Sequence, residues 1–171
     1  MTDAGHPSVQ RVLDAAKEQG LRIEIGRFPE GTRTAADAAR AVGCSVGQIV
    51  KSLVFVADEQ PILVLVSGAD RADLDLLSAV LGIAESSPSS PIRRATADEA
   101  RDATGFAIGG IPPIGHARAL PVLIDEGLLR HEVVWAAAGL PDAVFAVAPD
   151  DLARAARARV VAIARADPSG S

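Results

Sequence analysis

Residues 49–56 (IVKSLVFV) and 62–67 (ILVLVS) are two apolar, β-branched runs with only a short polar stretch around Asp58, Glu59, Gln60 and Pro61 between them. Runs of this length and chemistry read as strands, and so short a link closes them into a hairpin. The second run is a buried strand, too short to cross a bilayer. The hairpin therefore anchors a soluble sheet, and the flanking patterns say what surrounds it.

Ser8 can cap a helix whose apolar positions Val9, Val12, Leu13 and Ala16 recur at helical spacing, with Gly20 as its stop. Thr34 with Asp37 starts a second helix that ends at Gly43, and residues 73–81 form a third ending at Gly82. Thr96 and Glu99 make a capping box for a fourth that runs to Thr104, and Pro149 opens a last one. Further strands are expected at 22–25, 121–124, 133–137, 144–147 and 160–163, with 133–137 and 144–147 pairing across Gly139 and Pro141. Residues 26–33, 86–91 and 105–115 read as loops. Hairpins and irregular helices do not make the alternation of a doubly wound fold. The expected class is α/β: a mixed, largely antiparallel, barrel-like sheet with surrounding helices. One domain is expected over 1–171, with a core at 8–163 and a flexible tail at 164–171.

The net charge of −5 argues against a broad grip on nucleic acid, DNA included, because neutralising phosphates needs a basic patch. It leaves room for a protein that holds only the end of an RNA. Arg93 and Arg94 form one local basic cluster, and Arg154, Arg157 and Arg159 another that reads as a solvated face. The one cysteine, Cys44, allows no disulfide framework. His6, His116 and His131 lack metal-ligand spacing, so no metal and no cofactor is expected. The first eight residues lack the pattern of a secretory signal, and no membrane span is visible; a cytoplasmic protein is the expectation.

Two features could carry chemistry. Lys51 shares a strand face with Ile49, Leu53 and Phe55, while Ser52 shares the other with Val50, Val54 and Val56. An ammonium among large apolar neighbours either snorkels to water, as a lysine guarding an edge strand does, or sits where an anion compensates it. The second feature is Gly109-Gly110-Ile111-Pro112-Pro113-Ile114-Gly115-His116. Paired glycines let backbone N–H groups approach a ligand, and prolines stiffen the loop, so it suits a carbonyl oxygen or oxyanion as well as a wide turn. A phosphate-binding loop would lead into a helix, whereas this one leads to a strand at Pro121. A triad drawn from Ser52, His116 and Asp125 lacks a nucleophile elbow. Trp135 reads as core.

Residues 47–55 (GQIVKSLVF) resemble the signature strand of the YbaK/EbsC family, which includes the editing insertion of bacterial prolyl-tRNA synthetases. Residues 34–42 resemble that family's alanine-rich helix, Ser67-Gly68 its second hairpin strand end, and Gly105 to Gly115 its glycine-proline loop. Leu123-Ile124-Asp125 and residues 135–139 (WAAAG) resemble later strands, so the similarity spans roughly residues 8–163. The resemblance implies a trans-editing hydrolase that deacylates mischarged aminoacyl-tRNA, with a small amino acid such as cysteine, alanine or serine on tRNA(Pro) or a related tRNA. It also implies that Lys51 is catalytic and that Ser67, Gly68, Gly109, Gly110, Ile111, Pro112, Pro113, Gly115, Asp125 and Gly139 bind substrate. The acceptor end of aminoacyl-tRNA is the implied partner, with a synthetase as a further candidate. A binding module for such ends, without turnover, is the alternative. No histidine stands where the synthetase-inserted versions contact the amino group.

Overall fold

The computed structural model describes residues 5–28, 34–83 and 92–167. In chain order the elements are α1 (Pro7–Glu18), β1 (Ile25–Arg27), α2 (Ala35–Val42), β2 (Val50–Ala57), β3 (Gln60–Ser67), β4 (Asp70–Ala72) and α3 (Leu74–Leu81). There follow β5 (Ile92–Arg94), α4 (Ala97–Thr104), β6 (Val122–Asp125), β7 (Val134–Ala137), β8 (Ala143–Val147), α5 (Pro149–Ala155), β9 (Arg159–Val161) and β10 (Ala164–Ala166). No helix among the described residues is long and apolar enough to cross a membrane.

The hairpin forms where the apolar runs put it. β2 and β3 pair from Val50↔Ser67 to Ala57↔Gln60, and Asp58 and Glu59 both turn at positive φ. That is the turn whose twist matches paired strands. The helices begin and end on local chemistry. Thr34, Asp73 and Thr96 accept backbone N–H bonds as N-caps, and Gly43, Gly82 and Gly105 close helices in the left-handed conformation. The capping box at Thr96 and Glu99 has both halves in place. The 86–91 loop expectation lies outside the described residues, as does the second half of the tail, 168–171.

The sheets are mixed and largely antiparallel. One has the order β5-β2-β3-β6-β9, another β1-β8-β7, and a third pairs β10 with β4. The junctions β3–β6 and β6–β9 are parallel. No ladder among the described residues closes into a barrel. The expected strand at 22–25 lies instead at Ile25–Arg27, where it can pair with Phe145, Val144 and Ala143. Residues 164–166 are strand, not tail: they pair with β4, whose Asp70-Arg71-Ala72 gave no apolar signal.

Apolar cover lies on both faces of the large sheet. Val9 and Val12 of α1 pack with Val50, Val54, Leu65, Phe106, Ile111 and Phe145 on one face. Leu77 of α3 and Ile163 pack with Phe55, Val64 and Val66 on the other. Leu63, Val64, Leu65 and Val66 are accordingly fully buried, which requires the all-apolar run that the sequence carries.

Asp125, at the end of β6, is the fastener of the C-terminal segment. Its Oδ1 accepts from the N–H groups of Ile163 (2.9 Å) and Ala164 (3.1 Å), and its Oδ2 from Gly127 (2.9 Å). The carboxylate is buried and fully used by backbone, so it faces no substrate space. Replacing Asp125 with Ala strands these amides and is expected to cost about 2–3 kcal/mol. Urea denaturation gives the loss, and hydrogen exchange should quicken at Ile163 and Ala164; an unchanged unfolding midpoint would contradict the fastener role.

Candidate active site

β2 sits inside its sheet, yet only part of its second edge is filled. Because Ala57 and Gln60 close a two-residue turn, Lys51, Leu53, Phe55 and Ala57 turn their peptide groups toward β3. Val50, Ser52, Val54 and Val56 turn theirs the other way, as the 3.0 Å bond from Ala95 N to Val54 O shows. β5 fills that edge at Phe55–Ala57, and β7 reaches it at Ile49, which bridges Trp135. Between the two lies a gap.

A hollow of about 360 Å³ opens at this gap. Its walls are small and apolar: Ala35 and Ala38 from α2, Ala100 from α4, Ile111 from the glycine-proline loop, Ala136 and Ala137 from β7, and Val144 from β8. Trp135, Pro141 and the exposed Ile108 also line it. Its polar side chains are Thr34, Lys51, Ser52 and Arg94. Thr34 Oγ1 is engaged by Asp37 N at 3.1 Å as the helix cap.

Lys51 and Ser52 leave β2 on opposite faces, and both line the hollow because it wraps around the strand edge. The Lys51 ammonium donates to the Asp70 carbonyl on β4. Burial pushes its pKa below the ordinary lysine range, the carboxylates of Asp167 and Asp70 oppose that shift, and Arg94 adds to it. Arg94 lies over the Phe55 ring, 5.5 Å from its centre, on the same side as Lys51. The hollow is therefore neutral and apolar except for two cations, and no carboxylate of the described residues lines it. Ser52 Oγ is sealed from solvent and has no hydrogen-bond partner among the described residues.

The loop over the hollow is braced from below. Thr104 Oγ1 donates to Ala100 O (2.7 Å) and accepts from Phe106 N (3.1 Å). The Arg11 guanidinium stacks 4.5 Å from the centre of the Phe106 ring. His116 Nε2 donates to the Pro112 carbonyl at 2.7 Å.

The residues expected to bind substrate divide accordingly. Lys51, Gly109 and Ile111 meet at the hollow. Gly110 does not line it: a Cβ there would stand 2.8 Å from the Leu140 backbone, so this glycine permits close packing of two loops. Gly68 abuts Val46 O, Gly115 abuts Arg11 O and Gly139 abuts Ser8 O in the same way. Ser67 Oγ donates to Gly47 O at 2.7 Å, and Pro112 and Pro113 are buried supports. No triad forms, because Asp125 holds backbone amides and His116 holds Pro112. The residues missed were Ser52 in its binding sense, Arg94, Thr34, the alanines of α2 and β7, and Trp135, read as core but half-buried on the hollow. Their sequence signal is faint, since only the gap in β2 brings them together.

A family model for the aminoacyl-tRNA editing domain matches residues 29–155. The chain is 28% identical over 130 residues to protein YwhH of Bacillus subtilis, covering 75% of this chain and 78% of that one. It is 32% identical over 115 residues to a proline–tRNA ligase of Acidithiobacillus ferrooxidans, covering 67% of this chain but only 19% of the ligase. A crystal structure described as a candidate trans-editing enzyme for prolyl-tRNA synthetase superposes with a TM-score of 0.85 at 44% identity, covering 94% of this chain and 98% of the other.

Two outcomes follow from the loop's packing. Gly110→Ala drives a methyl group into the Leu140 backbone and is expected to destabilise the fold by about 1–3 kcal/mol, read as a lower thermal midpoint. His116 supplies a pH dependence. Burial holds its imidazole below the ordinary 6.5, so the unfolded chain takes up a proton that the folded chain refuses. Its contribution is complete above that ordinary value and is lost as pH falls below it. Denaturation midpoints measured from about pH 7 to about pH 5 should decline, and His116→Asn should flatten the decline.

Proposed function

The chain belongs to the aminoacyl-tRNA editing domain family, and from that premise we propose that it is a deacylase that hydrolyses mischarged aminoacyl-tRNA in trans. The observation that carries this reading is the hollow itself, a small-walled apolar space with two cations on one side. The substrate is a small amino acid such as alanine, cysteine or serine on tRNA(Pro) or a related tRNA. The hollow is larger than such a group and leaves room for the terminal ribose. The whole described unit serves as one domain with this task, in the cytoplasm where aminoacyl-tRNA is used.

An aminoacyl ester is an activated bond, so the enzyme need not supply a strong nucleophile. It must hold the ester, stabilise the charge that grows on the carbonyl oxygen, and admit a water. Lys51 offers an ammonium with donors beyond the one given to Asp70 O, and its place at the strand gap suits either the carbonyl oxygen or the terminal phosphate. Arg94 adds a second cation on the same side. Gly109 at the hollow lets main chain approach the acyl group without a side chain between them. A general base can come from the substrate's ribose hydroxyl, in keeping with a hollow that has no carboxylate and no histidine among its described lining residues.

The partner is the acceptor end of the tRNA. A chain of net charge −5 has little to attract the rest of the molecule, so tRNA selection falls to contacts near the ester or to a synthetase working beside it.

Lys51→Ala is expected to slow deacylation of a misacylated tRNA(Pro) by about 10²-fold or more, with the fold retained by circular dichroism. A rate within a few-fold of the parent protein removes Lys51 from the mechanism. Purified protein that turns over none of a panel of mischarged tRNAs, while still binding them, would make it a binding module instead.

A further inference from the structure

A lysine ammonium drawn out of water needs an acceptor and an opposing charge, or it gives up its proton. For Lys51 the acceptor is the Asp70 carbonyl on β4. The ladder partner of β4 is the C-terminal strand β10. Asp70 pairs with Ala166, and the Asp167 N–H donates to the Ala69 carbonyl at 3.0 Å. That segment is tied down on several sides. Ile163 is fully buried with Leu77 and Phe55, and its N–H and that of Ala164 go to Asp125 Oδ1. The Ile163 carbonyl accepts from Asp73 N at 2.7 Å, and Arg165 forms an ion pair with Asp73.

The charged groups of the described residues that act on Lys51 are Asp167 after β10, Asp70 of β4 and Arg94 of β5. Burial draws the Lys51 pKa down, Asp167 and then Asp70 draw it up, and Arg94 draws it down again. Asp70 is the less dependable anion. Burial and the neighbouring Asp125 push its carboxyl up, against the pull of Lys51 and Arg130. Asp125 itself is committed to backbone amides. Strand register brings the other anion: Asp167 follows Ala166, the cross-strand partner of the residue whose carbonyl takes the ammonium. Any residue but proline at 167 could make the main-chain bond to Ala69, whereas a charge opposing Lys51 needs an acidic one.

We infer that Asp167 is a positioning residue for Lys51, carried to it by β10, and that the C-terminal segment holds this ammonium in place and charged from outside the lining of the hollow. That the arrangement serves hydrolysis rests on the deacylase reading given above; the link between Asp167 and Lys51 does not.

The chain has two lysines, Lys51 and the exposed Lys17, so lysine labelled with carbon-13 at Cε gives two signals, and Lys51→Arg assigns them. Lys51 should titrate at lower pH in Asp167→Asn than in the parent protein, and at lower pH again in Asp167→Lys. Asp167→Glu should return it toward the parent, with Lys17 unmoved throughout. Rates should follow. Lys51 is charged below its pKa, so lowering that pKa brings the alkaline limb of kcat/KM to lower pH, in the same order of variants. The substrate is a misacylated tRNA(Pro), with spontaneous ester hydrolysis subtracted. A merely structural Asp167 would lower rates by one factor at every pH and leave both the limb and the Lys51 titration in place; that result overturns the proposal. A parent protein without turnover overturns the deacylase reading alone, and the titration, read without substrate, still decides the link.

Discussion

An interior strand normally has both of its edges hydrogen-bonded, and β2 does not. β5 covers it from Phe55 onward, β7 touches it at Ile49, and the peptide of Ser52 lies between. Every wall of the hollow is a consequence of that gap. α2 approaches through Ala35 and Ala38 because Gly68 lets the β3 end pack against Val46 O and Ala35. β7 approaches through Ala136 and Ala137 because β8 holds it from the other side. The glycine-proline loop closes the remaining side and is kept there by Thr104, Arg11 and His116. A longer β5 would fill the edge and abolish the site.

The same strand solves a second problem by facing two ways. An ammonium at Lys51 loses hydration on the α3 side, which lowers its pKa, and recovers part of the loss from the Asp70 carbonyl and from the carboxylates of Asp70 and Asp167. Those carboxylates are positioned by β4 and by the segment after β10. β10 in turn is fixed by the Asp125 bonds to Ile163 and Ala164 and by the ion pair of Arg165 with Asp73. The C-terminal strand thus bears on the electrostatics of the hollow without touching it.

What the sequence made legible was local. The hairpin, the caps at Thr34 and Thr96, and the stops at Gly43 and Gly82 depend on residues a few positions apart, and they formed as read. The parallel pairing of β3, β6 and β9 joins segments far apart in the chain and left no pattern to find. β4, β5 and β10 escaped notice because Asp70, Arg71, Arg93, Arg94 and Arg165 leave three-residue strands with no apolar alternation. In the site, Lys51 stood out as a cation among apolar neighbours, and Gly109 and Ile111 as part of a stiff loop. Gly110, Gly115 and Gly139 gave the same signal for another reason, since each makes room for a neighbouring backbone. A glycine kept for packing and a glycine kept for a ligand look alike in one sequence.

The alanine-rich walls also limit what size can do. A wall of Ala35, Ala38, Ala100, Ala136 and Ala137 rejects a bulky acyl group by collision. It cannot favour a small one, because each missing methylene costs only about 1–3 kcal/mol of contact and a smaller group always enters. If the hollow of about 360 Å³ must also admit ribose, as the deacylase reading requires, that weakness is greater. On the deacylase reading, choice among small esters must then come from directional polar contacts, and the open edge of β2 turns main-chain groups toward the hollow. The incomplete sheet both makes the space and leaves main-chain polar groups of β2 turned toward it.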